Sequence, residues 1–131
     1  MRYKHLTEKR GYTGFELPSK TRKILLSKLP PKHADVIAHH ITYKFGVGED
    51  SVPSVPKTAE IVGYASDDSL EAYVVAINGS TTRPDGKVYH VTWSLDKSKG
   101  RKPVQSNNLL ANGWAKIEPI KIEVTPKFFT N

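Results

Sequence analysis

His40-Ile41-Thr42-Tyr43 and His90-Val91-Thr92-Trp93 are two copies of one tetrad, set fifty residues apart in runs that alternate polar and apolar residues. Successive side chains of a strand point to opposite faces, so this alternation predicts half-buried β-strands. In the first run His40, Thr42 and Lys44 share one face, and Ile41, Tyr43 and Phe45 share the other. In the second, His90, Thr92 and Ser94 stand opposite Val91, Trp93 and Leu95. The apolar set anchors each strand and the polar set faces outward. Placed side by side, two such strands present paired imidazoles and paired hydroxyls.

Imidazole is the side chain best suited to give or take a proton near neutral pH, so one histidine can serve as base and the other as acid. Threonine hydroxyls can donate hydrogen bonds to non-bridging phosphate oxygens, where charge builds as a phosphodiester is attacked in line. Base, acid and oxyanion donors together make a phosphoesterase that needs no metal. Lys44 and Ser94, on the polar faces, are expected to assist in binding. Which histidine is acid and which is base stays open.

His-x-Thr repeated on two strands, each copy followed by a large apolar residue, resembles the signature of the two-histidine phosphoesterase superfamily. That superfamily includes RNA 2′-5′ ligase-like proteins, 2′,3′-cyclic nucleotide phosphodiesterases of RNA repair, and phage enzymes that destroy cyclic-oligonucleotide immune signals. Gly11-Tyr12-Thr13-Gly14-Phe15, the basic helix after it and His39-His40-Ile41-Thr42 are similar to RNA-repair-like members. The resemblance implies that His40 and His90 are the proton-transfer pair and that Thr42 and Thr92 hold the phosphate. It implies no metal and no cofactor. The implied substrate is a nucleotide: a cyclic oligonucleotide, or RNA bearing a 2′,3′-cyclic phosphate. It also implies two pseudo-symmetric lobes with one motif in each, and fifty residues between motifs implies that a lobe is trimmed.

Other histidines read differently. His39 has the inward parity of Ile41 and Tyr43 and is expected to be structural or capping, and His5 lies in a polar, basic segment. A zinc site would gather His33, His39 and His40 with Asp35 or His90, but adjacent residues on opposite strand faces bind one ion poorly. The absence of cysteine removes disulfides, thiol nucleophiles and thiolate zinc sites. A net charge of +7, from twenty Lys and Arg against thirteen Asp and Glu, favours an anionic partner such as a nucleotide or RNA. No run of about eighteen apolar residues predicts a membrane span, and the N-terminus lacks a secretory signal, so a cytoplasmic protein is expected, in the host cytoplasm if it is viral.

A chain of 131 residues suits one domain, 1–131. Gly11 to Leu17 predicts a strand with Thr13, Phe15 and Leu17 inward and Tyr12 outward, where it can stack on a base. Ser19 is expected to cap a helix through Leu29, with Lys20, Arg22, Lys23 and Lys28 on its wet side and Pro30-Pro31 ending it. Residues 46–57 read as a loop bordering the cleft. Thr58–Ser66 and Leu70–Ile77 read as a hairpin turning at Asp67-Asp68-Ser69. In the turn-rich stretch before the second motif, Arg83 and Lys87 are basic loop candidates. After it, Asp96 to Pro103 is a basic loop whose Lys99, Arg101 and Lys102 could clamp a further phosphate. Ser106 is expected to cap a short helix, and Ala115–Thr125 to close the sheet as an edge strand.

These expectations add up to an α+β fold: an antiparallel sheet in a compact bilobal arrangement, with outer helices and a central groove. The competing class is a non-catalytic single-stranded nucleic-acid-binding module using Tyr12, Tyr43, Tyr64, Trp93 and Trp114 with the basic loops. A third class, a host- or phage-protein interaction domain, is allowed by charge and size and carried by no motif.

Overall fold

The computed structural model describes residues 10–130, and His5 lies outside them. Among the described residues eight strands and two α-helices follow the order β1 (Gly11–Glu16), α1 (Ser19–Lys28), β2 (Asp35–Val36), β3 (His40–Val47), β4 (Ala59–Ser66), β5 (Leu70–Ile77), β6 (His90–Leu95), α2 (Ser106–Ala111), β7 (Ala115–Lys121) and β8 (Thr125–Thr130). The fold is α+β, and every strand pairing is antiparallel.

Local chemistry explains most element boundaries. In and just after β1, Thr13, Phe15 and Leu17 are buried as the two-residue period requires, while Tyr12 turns to the opposite face. Helix α1 starts after Pro18, whose extended backbone ends the preceding segment; Ser19 is the first helical residue and makes no capping hydrogen bond. Leu25 buries the inner face of α1, and Pro30 cannot extend the ladder. Arg22 is not on the wet side. Its Nε and Nη2 donate to the carbonyls of Ala38 and Ile37 at 2.9 and 3.2 Å, tying the helix to the approach of β3. The β4–β5 hairpin turns where expected: Asp67 Oδ1 accepts from the Ser69 N–H at 3.0 Å, a side-chain turn typical of aspartate.

The edge strand expected over 115–125 is β7, which ends at Lys121, and β8, from Thr125 on, lies at the opposite end of the same sheet, whose order is β7-β4-β5-β6-β3-β1-β8 with β2 on β6. Three residues, 122–124, link β7 to β8, and four peptide steps reach at most about 14 Å. The sheet is therefore rolled until its ends approach each other. Inside the roll lies the main core of Phe15, Ile41, Ile61, Tyr73, Val75, Val91 and Trp93, closed by Leu25 of α1 and by Ile117, Ile120, Ile122 and Val124. On the outer face Leu110 of α2 covers Ala72 and Val74 of β5.

The weakest seam runs between β3 and β6, which share a single pair, Ile41 with Val91. It divides the sheet into β7-β4-β5-β6 and β3-β1-β8, each half carrying one His-x-Thr tetrad. On one side of the seam, Gly14 of β1 lies so close to β3 that an added Cβ would collide with the Ile41 carbonyl oxygen. Gly14→Ala is expected to lower stability by about 1–3 kcal/mol, read as a lower urea midpoint with an unchanged slope.

Candidate active site

The Ile41 and Val91 side chains point into the core, so their neighbours on both strands point out of it. His40, Thr42, His90 and Thr92 accordingly line one cleft of about 290 Å³, together with Tyr12, Ile37, Phe45, Arg83, Pro103, Val104 and Asn107. The geometry brings the four motif residues and Tyr12 together. A larger cavity of about 590 Å³ lies elsewhere and contains none of them. Residues 50–55 of the loop after β3 border that second cavity and not the cleft.

Lys44 and Ser94 are not where strict alternation places them, and the same device displaces both. On β1, Thr13 pairs with Lys44 while Gly14 pairs with Thr42, which leaves Tyr43 without a partner. On β5, Glu71 pairs with Ser94 while Ala72 pairs with Thr92, which leaves Trp93 without one. An extra residue in a strand inverts the parity of everything beyond it. Phe45 therefore joins the cleft, 54% exposed, and Lys44 lines the other cavity with its Nζ 5.7 Å from the Tyr43 ring. Ser94 is fully buried, where its hydroxyl donates to Glu71 Oε2 and accepts from the His33 N–H at 3.0 Å.

Arg101 and Lys102 also fall outside the cleft lining. Arg101 staples the loop after β6 to the β4–β5 turn: its two terminal nitrogens meet Asp67 at 3.0 Å each, Nη1 meets Ser69 Oγ at 2.6 Å, and Nε meets Gln105 Oε1. Lys102 is exposed, with its N–H donated to Gln105 Oε1. Of that loop only Pro103 and Val104 reach the site. The single-strand platform is also dispersed, since Trp93 is buried in the main core and Tyr43, Tyr64 and Trp114 pack against the buried clusters. Among the described residues no three His, Cys, Asp or Glu side chains are grouped to share a metal ion, so the His33, His39, His40 and Asp35 grouping does not form.

Hydrogen-bond partners assign the imidazole tautomers. His90 Nδ1 lies 2.8 Å from the Val88 carbonyl, which can only accept, so Nδ1 carries the proton and Nε2 is left for the cleft. His40 Nδ1 lies 2.9 Å from His39 Nδ1. Burial pushes the His40 imidazole down from its usual range to about 4, with His39 and His90 adding to the effect and Glu16 opposing it. Burial likewise lowers His90, against the Val88 hydrogen bond and with help from Arg83. Both rings are thus neutral near neutral pH.

The threonines differ. Among the described residues the Thr42 hydroxyl has no partner, so it can donate to a ligand. Thr92 Oγ1 lies 2.8 Å from Ser106 Oγ and 3.3 Å from the Pro103 carbonyl. With Ser106 as donor, the Thr92 proton can leave its long bond to Pro103 for a ligand oxygen. Ser106, expected as a helix cap, instead makes its side-chain bond to Thr92.

Arg83 is the strongest addition to the site. It is 3% exposed and lines the cleft. Asp85 accepts from its Nε and Nη2 at 3.1 and 2.6 Å, and this pairing holds the Asp85 carboxyl down at about 2. Nη1 has no acceptor among the described residues, which leaves a donor on a desolvated cation. The sequence marks Arg83 as a basic loop candidate and not as part of the cleft; its burial depends on Asp85 two positions on and on the Phe45 ring 5.6 Å away.

Comparison with known proteins gives no match among family models, curated proteins or solved structures. No described helix is long and apolar enough to cross a membrane.

The unfolded chain takes up a proton at such a histidine near pH 6.5, and His40 in the fold does so at about 4. Between those values the unfolded state binds more protons, so this group's contribution to stability is present above about 6.5 and is lost as pH falls toward 4. Histidine NMR titrations should place the His40 midpoint near 4 and that of His90 below 6.5. Inorganic phosphate in the cleft should raise both, because an anion favours the imidazolium. Midpoints near 6.5 for both rings, unmoved by phosphate, would contradict the site.

Proposed function

We propose that this protein cleaves a nucleotide phosphodiester by paired-histidine acid and base catalysis without a metal ion. The observation that carries the reading is the convergence of His40, Thr42, His90, Thr92 and the buried Arg83 on one cleft at the seam of the sheet. Supporting it are the repeat of the tetrad in the two halves, the likeness to the two-histidine phosphoesterase signature with its bilobal fold, and the basic charge of the chain.

Arg83 and the Thr42 hydroxyl meet the phosphate oxygens, with the Thr92 hydroxyl joining when it releases Pro103. Both histidines begin neutral; binding of the anion raises their basicity, and one of them picks up the proton it later donates. The other removes a proton from water or from a ribose 2′-hydroxyl as that oxygen attacks phosphorus. The donated proton goes to the departing oxygen. Attack by water opens a 2′,3′-cyclic phosphate or cuts a cyclic oligonucleotide; attack by the 2′-hydroxyl cuts a 3′-5′ linkage. Donors fixed in advance stabilise the extra charge on the phosphoryl oxygens without reorganising. Phe45 and Val104, 54% and 62% exposed at the cleft, offer apolar surface to the nucleoside.

The test is turnover of cyclic dinucleotides, cyclic trinucleotides, 2′,3′-cyclic nucleotides and short RNA in excess chelator. His40→Ala and His90→Ala should each reduce kcat at least about 10²-fold with the fold retained by circular dichroism, and Thr42→Val should cost about 10². RNA binding with no turnover, indifferent to both histidine variants, would instead favour a binding module.

A further inference from the structure

Behind the cleft stands a chain of three titratable side chains, of which the proposed reaction uses only His40. Glu16 closes β1, and its Oε2 lies 3.3 Å from His39 Nε2. His39 Nδ1 in turn lies 2.9 Å from His40 Nδ1. The contact with Glu16 is an ion-pair distance without hydrogen-bond alignment, and the negative charge beside Nε2 favours the ring proton on that nitrogen. A neutral ring protonated there has its lone pair on Nδ1 and accepts from His40 Nδ1–H. That leaves the His40 lone pair on Nε2.

The frame around this chain is built. Phe129 of β8 lies 5.8 Å from the His39 ring and 4.9 Å from the His40 ring, and Tyr12 lies 5.3 Å from His40. Lys127 Nζ, also 3.3 Å from Glu16 Oε2, holds the carboxylate from β8. Just upstream, Ala38 has a positive φ of 42°, a strained conformation whose carbonyl is gripped by Arg22. His39 is therefore exposed beside His40 and does not take the inward position that strand parity predicts. His90 has no comparable support, because its Nδ1 faces only a neutral carbonyl.

We propose that Glu16 and His39 are positioning residues that hold His40 in the tautomer with a free Nε2 and stabilise the cation it forms, which makes His40 the general base and His90 the general acid. The kinetic part of this proposal rests on the phosphodiesterase reading; the tautomer part does not. The attacking oxygen loses its proton to His40 Nε2 and uses the freed electron pair to form the new P–O bond. The opposite P–O bond breaks, and its oxygen takes the proton from His90 Nε2. His40, now protonated on both nitrogens, shares its Nδ1 proton with His39, and the positive charge spreads toward Glu16. The groups facing His40 are Glu16 and Tyr12 from β1, His39 beside it, His90 from β6, Arg83 across the cleft and Lys127 behind Glu16. Of these Glu16 is the anion, and it favours the imidazolium.

Ring-nitrogen NMR of the full chain labelled at histidine tests the tautomer without substrate. His40 should be protonated at Nδ1 in the wild type and become a mixture in His39→Ala. In kinetics, Glu16→Gln and His39→Ala should each lower kcat about 10-fold to 10²-fold with KM within about twofold. The acid limb of kcat/KM should move to lower pH in Glu16→Gln. His39→Asn, whose Oδ1 replaces Nδ1 as acceptor, should recover part of kcat and no longer respond to Glu16→Gln. An unchanged His40 tautomer in His39→Ala overturns the proposal. So does unchanged kcat in both variants when His40→Ala abolishes turnover. If His40→Ala leaves turnover intact, the phosphodiesterase reading fails, and the tautomer measurement alone decides the role of His39.

Discussion

A single pairing, Ile41 against Val91, joins the two halves of the sheet, and the site depends on it. Both side chains are buried in the main core, so the apolar contact that holds the halves together also aims their neighbours the other way. Two histidines and two threonines thereby reach one cleft from strands fifty residues apart. Because β3 and β6 share only that one pair, the ladder diverges from it instead of continuing as a flat surface. The rolled sheet supports this seam from behind: the short link from β7 to β8 draws the outer strands together around the same core.

A residue without a partner follows each His-x-Thr, Tyr43 in one half and Trp93 in the other. The consequences differ in chemistry but share a cause. Beyond Tyr43, an aromatic ring replaces a lysine at the cleft, which gives the site an apolar wall against which Arg83 rests. Beyond Trp93, Ser94 turns inward to share the Glu71 carboxylate with Tyr64 and to hold the His33 backbone. Trp93 itself spans the core to donate to the Leu29 carbonyl at the end of α1 at 2.8 Å. The aromatic position of each tetrad therefore ends the run of site-facing residues and ties the strand to the body of the fold.

Electrostatically the cleft suits an anion. Burial keeps both imidazoles neutral, so the resting site holds two bases beside the Arg83–Asp85 ion pair. In the proposed reaction a phosphate meets the guanidinium and the threonine hydroxyls, and its own charge makes the histidines easier to protonate. The basic side chains expected to do this work, Lys44, Arg101 and Lys102, are elsewhere: on another face, committed to Asp67, and in solvent, respectively.

The sequence by itself determined the strand character of both tetrads, the inward anchors Ile41, Val91 and Trp93, the outward histidines and threonines, the β4–β5 hairpin, and the position of Tyr12. All of these follow from local periodicity and turn chemistry, which act within a few residues. Tertiary structure alone decided that Phe45 rather than Lys44 joins the cleft and that Ser94 is buried, because an unpaired residue is defined by its partner strand and leaves no mark in its own. It also decided that Arg83 is a site residue, that α1 grips the approach to β3 through Arg22, and that β7 and β8 lie at opposite ends of the sheet. Glu16 comes beside His39 and His40 only when β1 pairs with β3 and β8, since which charge lies against a ring depends on where distant strands meet.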